Sequence, residues 1–216
     1  MTIGGSGEPT LYADIGALIA GLKSLTTTPV AVLTNGSLLW RPEVREALHR
    51  ADLVIPSLDA GDEETFRGVN RPPRELSYAQ MVAGLVDLRW EFRGAYWLEI
   101  LLIDGPSSEE PHLDRWMEQA RRIGPDRVQL NTATRPPAEF WVRPLTSQRL
   151  ADIAARFLPV AEVIAERQPP DTVQGDHVSP EAVLELLRRR PCSLGDIAVG
   201  LAAHRHEVAK VVAELL

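Results

Sequence analysis

Met1-Thr2-Ile3-Gly4-Gly5-Ser6-Gly7-Glu8-Pro9 is the stretch on which the fold turns. A short β-branched run passes directly into a glycine-rich loop that carries one carboxylate and closes on proline. Glycine has no Cβ, so a strand ending this way brings bare backbone close to a ligand. The same ending sets Glu8 at the carboxyl end of the strand, where open α/β sheets and α/β barrels keep their ligands. The loop is not a P-loop, which ends in Gly-Lys-Ser/Thr. It also departs from the dinucleotide fingerprint, because Thr10 stands where the third glycine belongs.

Outward from this loop, two kinds of segment alternate to about residue 165. Short apolar runs flanked by turn residues read as strands: Val30–Thr34, Leu53–Ser57, Tyr96–Ile103 and Arg127–Asn131. Between them lie helical spacings: Ile15, Leu18, Ile19 and Leu22; Val44 and Leu48 after Pro42; Met81, Val82, Leu85 and Leu88; Leu113, Met117 and Ala120. Strict alternation of this kind predicts an α/β fold with a parallel sheet.

Composition bounds the rest. The 216 residues, 44% of them hydrophobic, suffice for one main core and a small extra unit. A net charge of −7 gives no general attraction to polyanions, so any nucleic-acid contact needs a local basic face. No signal peptide and no apolar run of bilayer length is apparent, so no membrane partner is expected. The single cysteine, Cys192, leaves no internal disulfide and fits a reducing, cytoplasmic setting. It equally leaves no cysteine-only metal site built by this chain.

Gln168-Pro-Pro-Asp-Thr-Val-Gln-Gly-Asp176 reads as a linker. Residues 1–166 are therefore expected to form the main domain, 167–178 the linker and 179–216 a small helical module. Ser179-Pro180 is a helix start, Ser193 with Asp196 resembles a capped second start, and Glu207–Leu216 reads as a third helix. Three short helices with tight turns suggest a helix-turn-helix type of module. Arg188-Arg189-Arg190 and His204-Arg205-His206 could give it a basic face, although acids outnumber bases between Asp171 and Leu216.

The polar residues fall where a barrel rim would use them. The first strand ends in Gly5, Ser6, Gly7 and Glu8, and the second in Thr34-Asn35-Gly36. The third ends in Ser57 and Asp59, the fourth carries Glu99, and the fifth ends in Asn131 with Arg135 nearby. Each has an ordinary reading too: Asn-Gly is a favoured turn pair in any protein. Glu99 stands out, because a carboxylate inside an apolar strand is costly unless paired or ligand-bound. Trp40, Trp90, Trp97, Trp116 and Trp141 read as packing residues. The five histidines make no zinc spacing, and no metal ligands are assigned.

Taken in order, these residues resemble the radical S-adenosylmethionine (SAM) superfamily. GGSGEPTLY looks like its Gly-Gly-Glu motif, LTNGSLL like the turn after the next strand, and PSLDA like the ribose-contacting strand end. WLEILL and VQLNTATRPP are similar to the later strands around SAM and substrate. RADLVIPSLDAGDEETFRGVNRP and RPPAEFWVRPL look close to the subgroup related to the tRNA wyosine-synthesising enzymes, whose members also end in a short helical module. The resemblance implies a partial (β/α)6 TIM-like barrel that lacks its first strand and cluster loop. It implies SAM as cofactor, with the Gly5–Glu8 backbone and Glu8 on the amino group and Ser57 and Asp59 on the ribose. Asn35, Glu99, Asn131 and Arg135 would line the remaining cofactor or substrate side. A tRNA guanosine and a partner protein both stand as substrate classes.

The departure from the family is its cluster. A [4Fe–4S] centre, whose electron would cleave SAM to a 5′-deoxyadenosyl radical, needs three cysteines in a CxxxCxxC loop. The chain has only Cys192, in the helical module, so it is expected to be inactive alone and to carry a cluster only if an upstream cysteine segment is present. A misplaced start or a truncation is the favoured explanation. The alternative is a non-catalytic remnant, or a regulatory protein working through its C-terminal helices. The strand at Thr2 is expected to have an open edge, an aggregation risk.

Overall fold

The computed structural model describes residues 1–5, 7–105, 108–133, 142–165, 178–189, 191–201 and 203–215. The chain divides into two compact units, residues 1–132 with 143–165, and residues 133–142 with 166–216. Apart from Val178, the predicted linker lies outside the described residues.

In the first unit the strands are β1 (Thr2–Ile3), β2 (Ala31–Thr34), β3 (Leu53–Pro56), β4 (Ala95–Leu101), β5 (Arg127–Asn131) and β6 (Glu162–Val163). They form one sheet in sequential order, every neighbour parallel. The helices are α1 (Ile15–Leu25), α2 (Pro42–Leu48), α3 (Glu63–Val69), α4 (Tyr78–Glu91), α5 (His112–Ile123) and α6 (Ser147–Ala154). The α/β architecture with a parallel sheet is as expected. Sequence patterning missed α3, α6 and β6, and β4 stops at Leu101 instead of Ile103.

Burial alternates along each strand, as a sheet with one covered face requires. Val32, Val54, Tyr96, Leu98, Val128 and Leu130 are fully buried and join the inward stripes of the helices in one core. Leu33, Ile55, Trp97, Glu99, Gln129 and Asn131, on the other face, are only partly covered. Helices α3, α4 and α6 start on a side-chain cap, from Asp62, Ser77 and Thr146. Ser77 Oγ accepts from the Gln80 N–H at 3.2 Å while Gln80 Oε1 accepts from the Ser77 N–H at 3.1 Å, a reciprocal capping box for α4. Pro42 opens α2, where its missing N–H costs nothing.

One proline shapes the sheet near its carboxyl end. Ser57 N–H donates to Thr34 O at 2.9 Å and Leu58 N–H to Glu99 O at 2.8 Å, so alternate donors of this stretch face β2 and β4. The donor absent at Pro56 therefore falls on the β4 side, and regular β3–β4 pairing ends at Val54 with Tyr96. It resumes as a single bridge between Ser57 and Glu99.

The second unit has three helices among its described residues: α7 (Pro180–Arg189), α8 (Leu194–Gly200) and α9 (Arg205–Glu214). Ser179 Oγ accepts from the Ala182 N–H at 3.2 Å, and Ser193 with Asp196 closes a capping box. Val183, Ile197 and Val208 form its core, with Cys192 packed against them. Arg190 and the side chain of Arg189 lie outside the described residues.

Candidate functional site

Glu8 is the best-held polar side chain at the carboxyl ends of the strands. Its Oε1 accepts from the Thr10 N–H at 3.0 Å, the Thr10 hydroxyl at 2.5 Å and the Thr34 hydroxyl at 2.6 Å. Its Oε2 accepts from the Asn35 N–H at 2.7 Å. Pro9–Leu11 form a single 3-10 turn that Glu8 caps, which is what brings Thr10 back onto the carboxylate. The network staples the β1 loop to the end of β2. The β2 turn is fixed in its own right. Asn35 Oδ1 accepts from the Ser37 N–H at 2.9 Å, and Gly36 takes φ +74°, a left-handed conformation that glycine adopts freely.

These elements line a cleft of about 380 Å³ with Gly5, Gly7, Glu8, Asn35, Ser57 and Glu99 on its walls. That volume falls in the range of roughly 300–1,000 Å³ typical of small-molecule sites. A Cβ built on Gly7 meets no protein atom within 4 Å. Packing within the chain therefore does not require glycine at position 7.

Two further pairs stand beside the cleft. Glu99 Oε1 accepts from Asn131 Nδ2 at 2.9 Å, so the carboxylate inside β4 is paired across the parallel register by a β5 side chain. Asn131 Oδ1 accepts in turn from the Thr132 N–H at 2.9 Å. Asp59 Oδ2 accepts from Asn70 Nδ2 at 3.1 Å. Burial pushes the Asp59 carboxyl up to about 6, and the nearby Glu99 charge adds to the rise, against the bonds from Asn70 and the Leu101 N–H. Asn70 caps the end of α3, and that helix is anchored by Asp62, which accepts from the Thr65 N–H at 2.8 Å and pairs with Arg115 of α5. Trp116 Nε1 donates to Leu58 O at 3.2 Å from a fully buried position, fixing the backbone between Ser57 and Asp59.

Of the ten residues the sequence singles out, six share the cleft, Asn131 is hydrogen-bonded to one of them, Glu99, and Asp59 lies two residues beyond Ser57. Ser6 and Arg135 lie outside the described residues. Sequence reading missed Thr10, Thr34 in its bonded role, and Asn70. For Thr10 the available signal was a threonine two residues past a strand-end carboxylate; Thr34, 26 residues from Glu8, and Asn70 offered none. The tryptophans divide: Trp116 packs as expected, whereas Trp90 is 80% exposed and Trp141 lies outside the described residues. Among the described residues no group of three or more His, Cys, Asp and Glu could hold a metal ion. None of their helices is long and apolar enough to cross a membrane.

No protein-family profile matches the chain. A protein named GTPase Obg from Brachyspira hyodysenteriae is 36% identical over 219 residues, covering 100% of this chain and 32% of that protein. A UPF0026 protein from Synechocystis is 34% identical over 136 residues, 63% of this chain and 51% of the relative. A UPF0026 protein from Helicobacter pylori is 29% identical over 195 residues, 89% of this chain and 62% of the relative. The chain thus spans between 32% and 62% of the length of these curated relatives. Among solved structures, a domain of pyruvate-formate lyase-activating enzyme from Bacteroides vulgatus superposes with a TM-score of 0.58 at 18% identity, covering 77% of this chain and 98% of that one. A radical SAM methyltransferase from Sphaerobacter thermophilus aligns with a TM-score of 0.49 at 16% identity, covering 63% of this chain and 40% of that one.

Proposed function

We propose that this chain is the S-adenosylmethionine-binding part of a radical SAM protein, in which Glu8 receives the ammonium of the ligand. The observation that carries the reading is the Glu8 carboxylate itself. It is locked in place at the end of β1, and it opens onto a cleft walled by the bare backbone of Gly5 and Gly7. The partly covered sheet face that carries Glu99 and Asn131 supports it, as does the fold shared with a domain of pyruvate-formate lyase-activating enzyme.

The roles follow from the chemistry of each group. Oε2 of Glu8 accepts an ammonium N–H. Ser57 and Asp59, on the strand beyond, take ribose hydroxyls, with Asp59 ionised at neutral pH as a paired-hydroxyl acceptor. The Glu99–Asn131 pair faces the adenine or substrate side. Runs 50–72 and 135–145 favour the subgroup related to the wyosine enzymes, and a tRNA guanosine and a partner protein both stand as substrate classes.

The residues of this chain fit SAM and do not fit the cluster. Three thiolates hold a [4Fe–4S] centre open to SAM, and the sequence has Cys192 alone, in the other compact unit. The residues of this chain therefore serve binding and supply no redox step of their own. One relative bears the name GTPase, but this sequence contains no Gly-Lys-Ser or Gly-Lys-Thr for a P-loop.

Isothermal titration of the chain with SAM tests the reading. Saturable binding at one site per chain, weakened at least tenfold by Glu8→Gln, is the expected result. Absence of binding, or equal affinity in the Glu8→Gln variant, would overturn it.

A further inference from the structure

We infer that Thr10 and Thr34 are positioning residues that make the two oxygens of Glu8 unequal, so that Oε2 alone meets the ligand. This rests on the SAM-binding reading above.

A carboxylate has about four lone-pair positions, two on each oxygen. Oε1 already receives three donors: the Thr10 N–H, the Thr10 hydroxyl and the Thr34 hydroxyl. Oε2 receives the Asn35 N–H and nothing else among the described residues, so the remaining capacity lies there. Both threonines are nearly sealed from solvent, at 5% and 3% exposure. Water therefore does not compete for their hydroxyls, and each bond is stronger for it.

Thr34 has no freedom in this arrangement. Its Oγ1 accepts from the Gly36 N–H at 3.1 Å, while its single hydroxyl proton goes to Glu8. One side chain thus holds both the carboxylate rotamer and the β2 turn that delivers the Asn35 N–H. The consequence is a preference in ligand shape. A guanidinium needs two free acceptors on one carboxylate for its fork, and Oε1 is already taken. A primary ammonium needs one, and Oε2 supplies it.

The test uses calorimetric titration of the full chain with SAM and with 5′-methylthioadenosine, which keeps the nucleoside and thioether but has no amino-acid end. Thr34→Val is expected to weaken SAM about tenfold, the loss of one charge-assisted hydrogen bond. The same variant should leave methylthioadenosine affinity within about twofold, since no bond to Glu8 is involved. Thr34→Ser should restore SAM binding, and Thr10→Val should repeat the Thr34→Val pattern less strongly because the Thr10 N–H remains. Thermal melting of each variant reports folding. If Thr34→Val does not fold, Thr10→Val and Thr34→Ser still decide the matter. SAM affinity unchanged in the valine variants while Glu8→Gln abolishes it would overturn the inference and leave the binding reading standing. Equal loss for both ligands, or Thr34→Ser as weak as Thr34→Val, would reduce the threonines to packing and also overturn it. A wild-type chain that binds no SAM overturns the underlying reading, and the inference with it.

Discussion

Asp126 accepts a hydrogen bond from the backbone N–H of Tyr96 at 2.8 Å, and Asp52 repeats that bond with Val30 at 2.7 Å. Each aspartate stands immediately before one strand and ties down the start of the preceding one. Each is braced by a cation from the helix leading into that preceding strand: Lys23 of α1 at 2.5 Å for Asp52, Arg89 of α4 at 2.7 Å for Asp126. The same device in two strand–helix units holds the amino ends of the sheet, leaving the carboxyl ends to carry the cleft.

Replacing Asp52 by alanine should lower stability by about 1 kcal/mol at neutral pH, because the charged hydrogen bond is partly solvent-screened. The bond from Lys23, and then that from the Val30 N–H, hold the Asp52 carboxyl below its ordinary range. A depressed pKa stabilises above the unfolded value near 4 and loses that contribution as the pH falls. Urea midpoints should thus separate wild type from Asp52→Ala at pH 7 and converge below pH 3. A constant gap at both pH values would contradict the assignment.

Gly84 and Gly21 predict opposite signs for the same substitution. Both lie inside helices, where alanine is ordinarily better than glycine by up to about 1 kcal/mol. A Cβ on Gly21 meets open space, so Gly21→Ala should raise the melting temperature. On Gly84 it would sit 2.3 Å from the Trp40 backbone nitrogen, and backbone cannot move aside cheaply. Gly84→Ala should cost about 2–3 kcal/mol, the scale of overpacking in a tight core. A stable Gly84→Ala protein would mean that α4 can lift off the loop before α2.

What could be read in advance and what could not follows one physical line. The sheet and α4 were legible because their signals are local: apolar runs between turn residues, and Met81, Val82, Leu85 and Leu88 at helical spacing. Helix α3 was not, since Phe66 is its one buried residue and its anchor is Asp62 with Arg115, 53 residues apart. The cleft shows the same division. Glu8, Asn35, Ser57 and Glu99 declare themselves as polar residues at strand ends. Thr34 gains its role from a bond to Glu8 across 26 residues of sequence, which no local pattern announces.

Arg45 and Glu91 should respond unequally to removal. Arg45 is 6% exposed and gives Glu91 two parallel bonds, at 2.8 and 3.0 Å, plus one to Leu39 O at 3.0 Å. The Glu91 side chain is 41% exposed. Losing the arginine leaves a buried carbonyl unpaired, whereas losing the carboxylate leaves a guanidinium that still has Leu39 and Asp87. Arg45→Met should therefore cost about 2 kcal/mol and Glu91→Gln about half that. Arg45→Lys should recover little, because an ammonium cannot reproduce the fork. Denaturant midpoints of the three variants give the ranking, and equal costs would count against the buried carbonyl as the cause.

Asp59 should trade stability against binding. Its carboxyl is raised to about 6 by burial, from an ordinary 3.8. A carboxyl whose folded pKa lies above its unfolded value holds its proton more tightly when folded. Its contribution is then full below about pH 4 and is lost as pH rises through about 6. At neutral pH the ionised group is a net cost. Asp59→Asn keeps the shape and one acceptor for Asn70 or Leu101 but cannot ionise. The variant should be more stable than wild type by about 1–2 kcal/mol at pH 7.5 and no more stable at pH 4. If Asp59 receives ribose hydroxyls, the same variant should bind SAM several-fold more weakly at pH 7.5, since a charged acceptor has become a neutral one. Stability gained together with affinity lost is what a site residue held against its own preference produces. A variant less stable at pH 7.5 would show instead that the Asn70 and Leu101 bonds outweigh the desolvation of the charge.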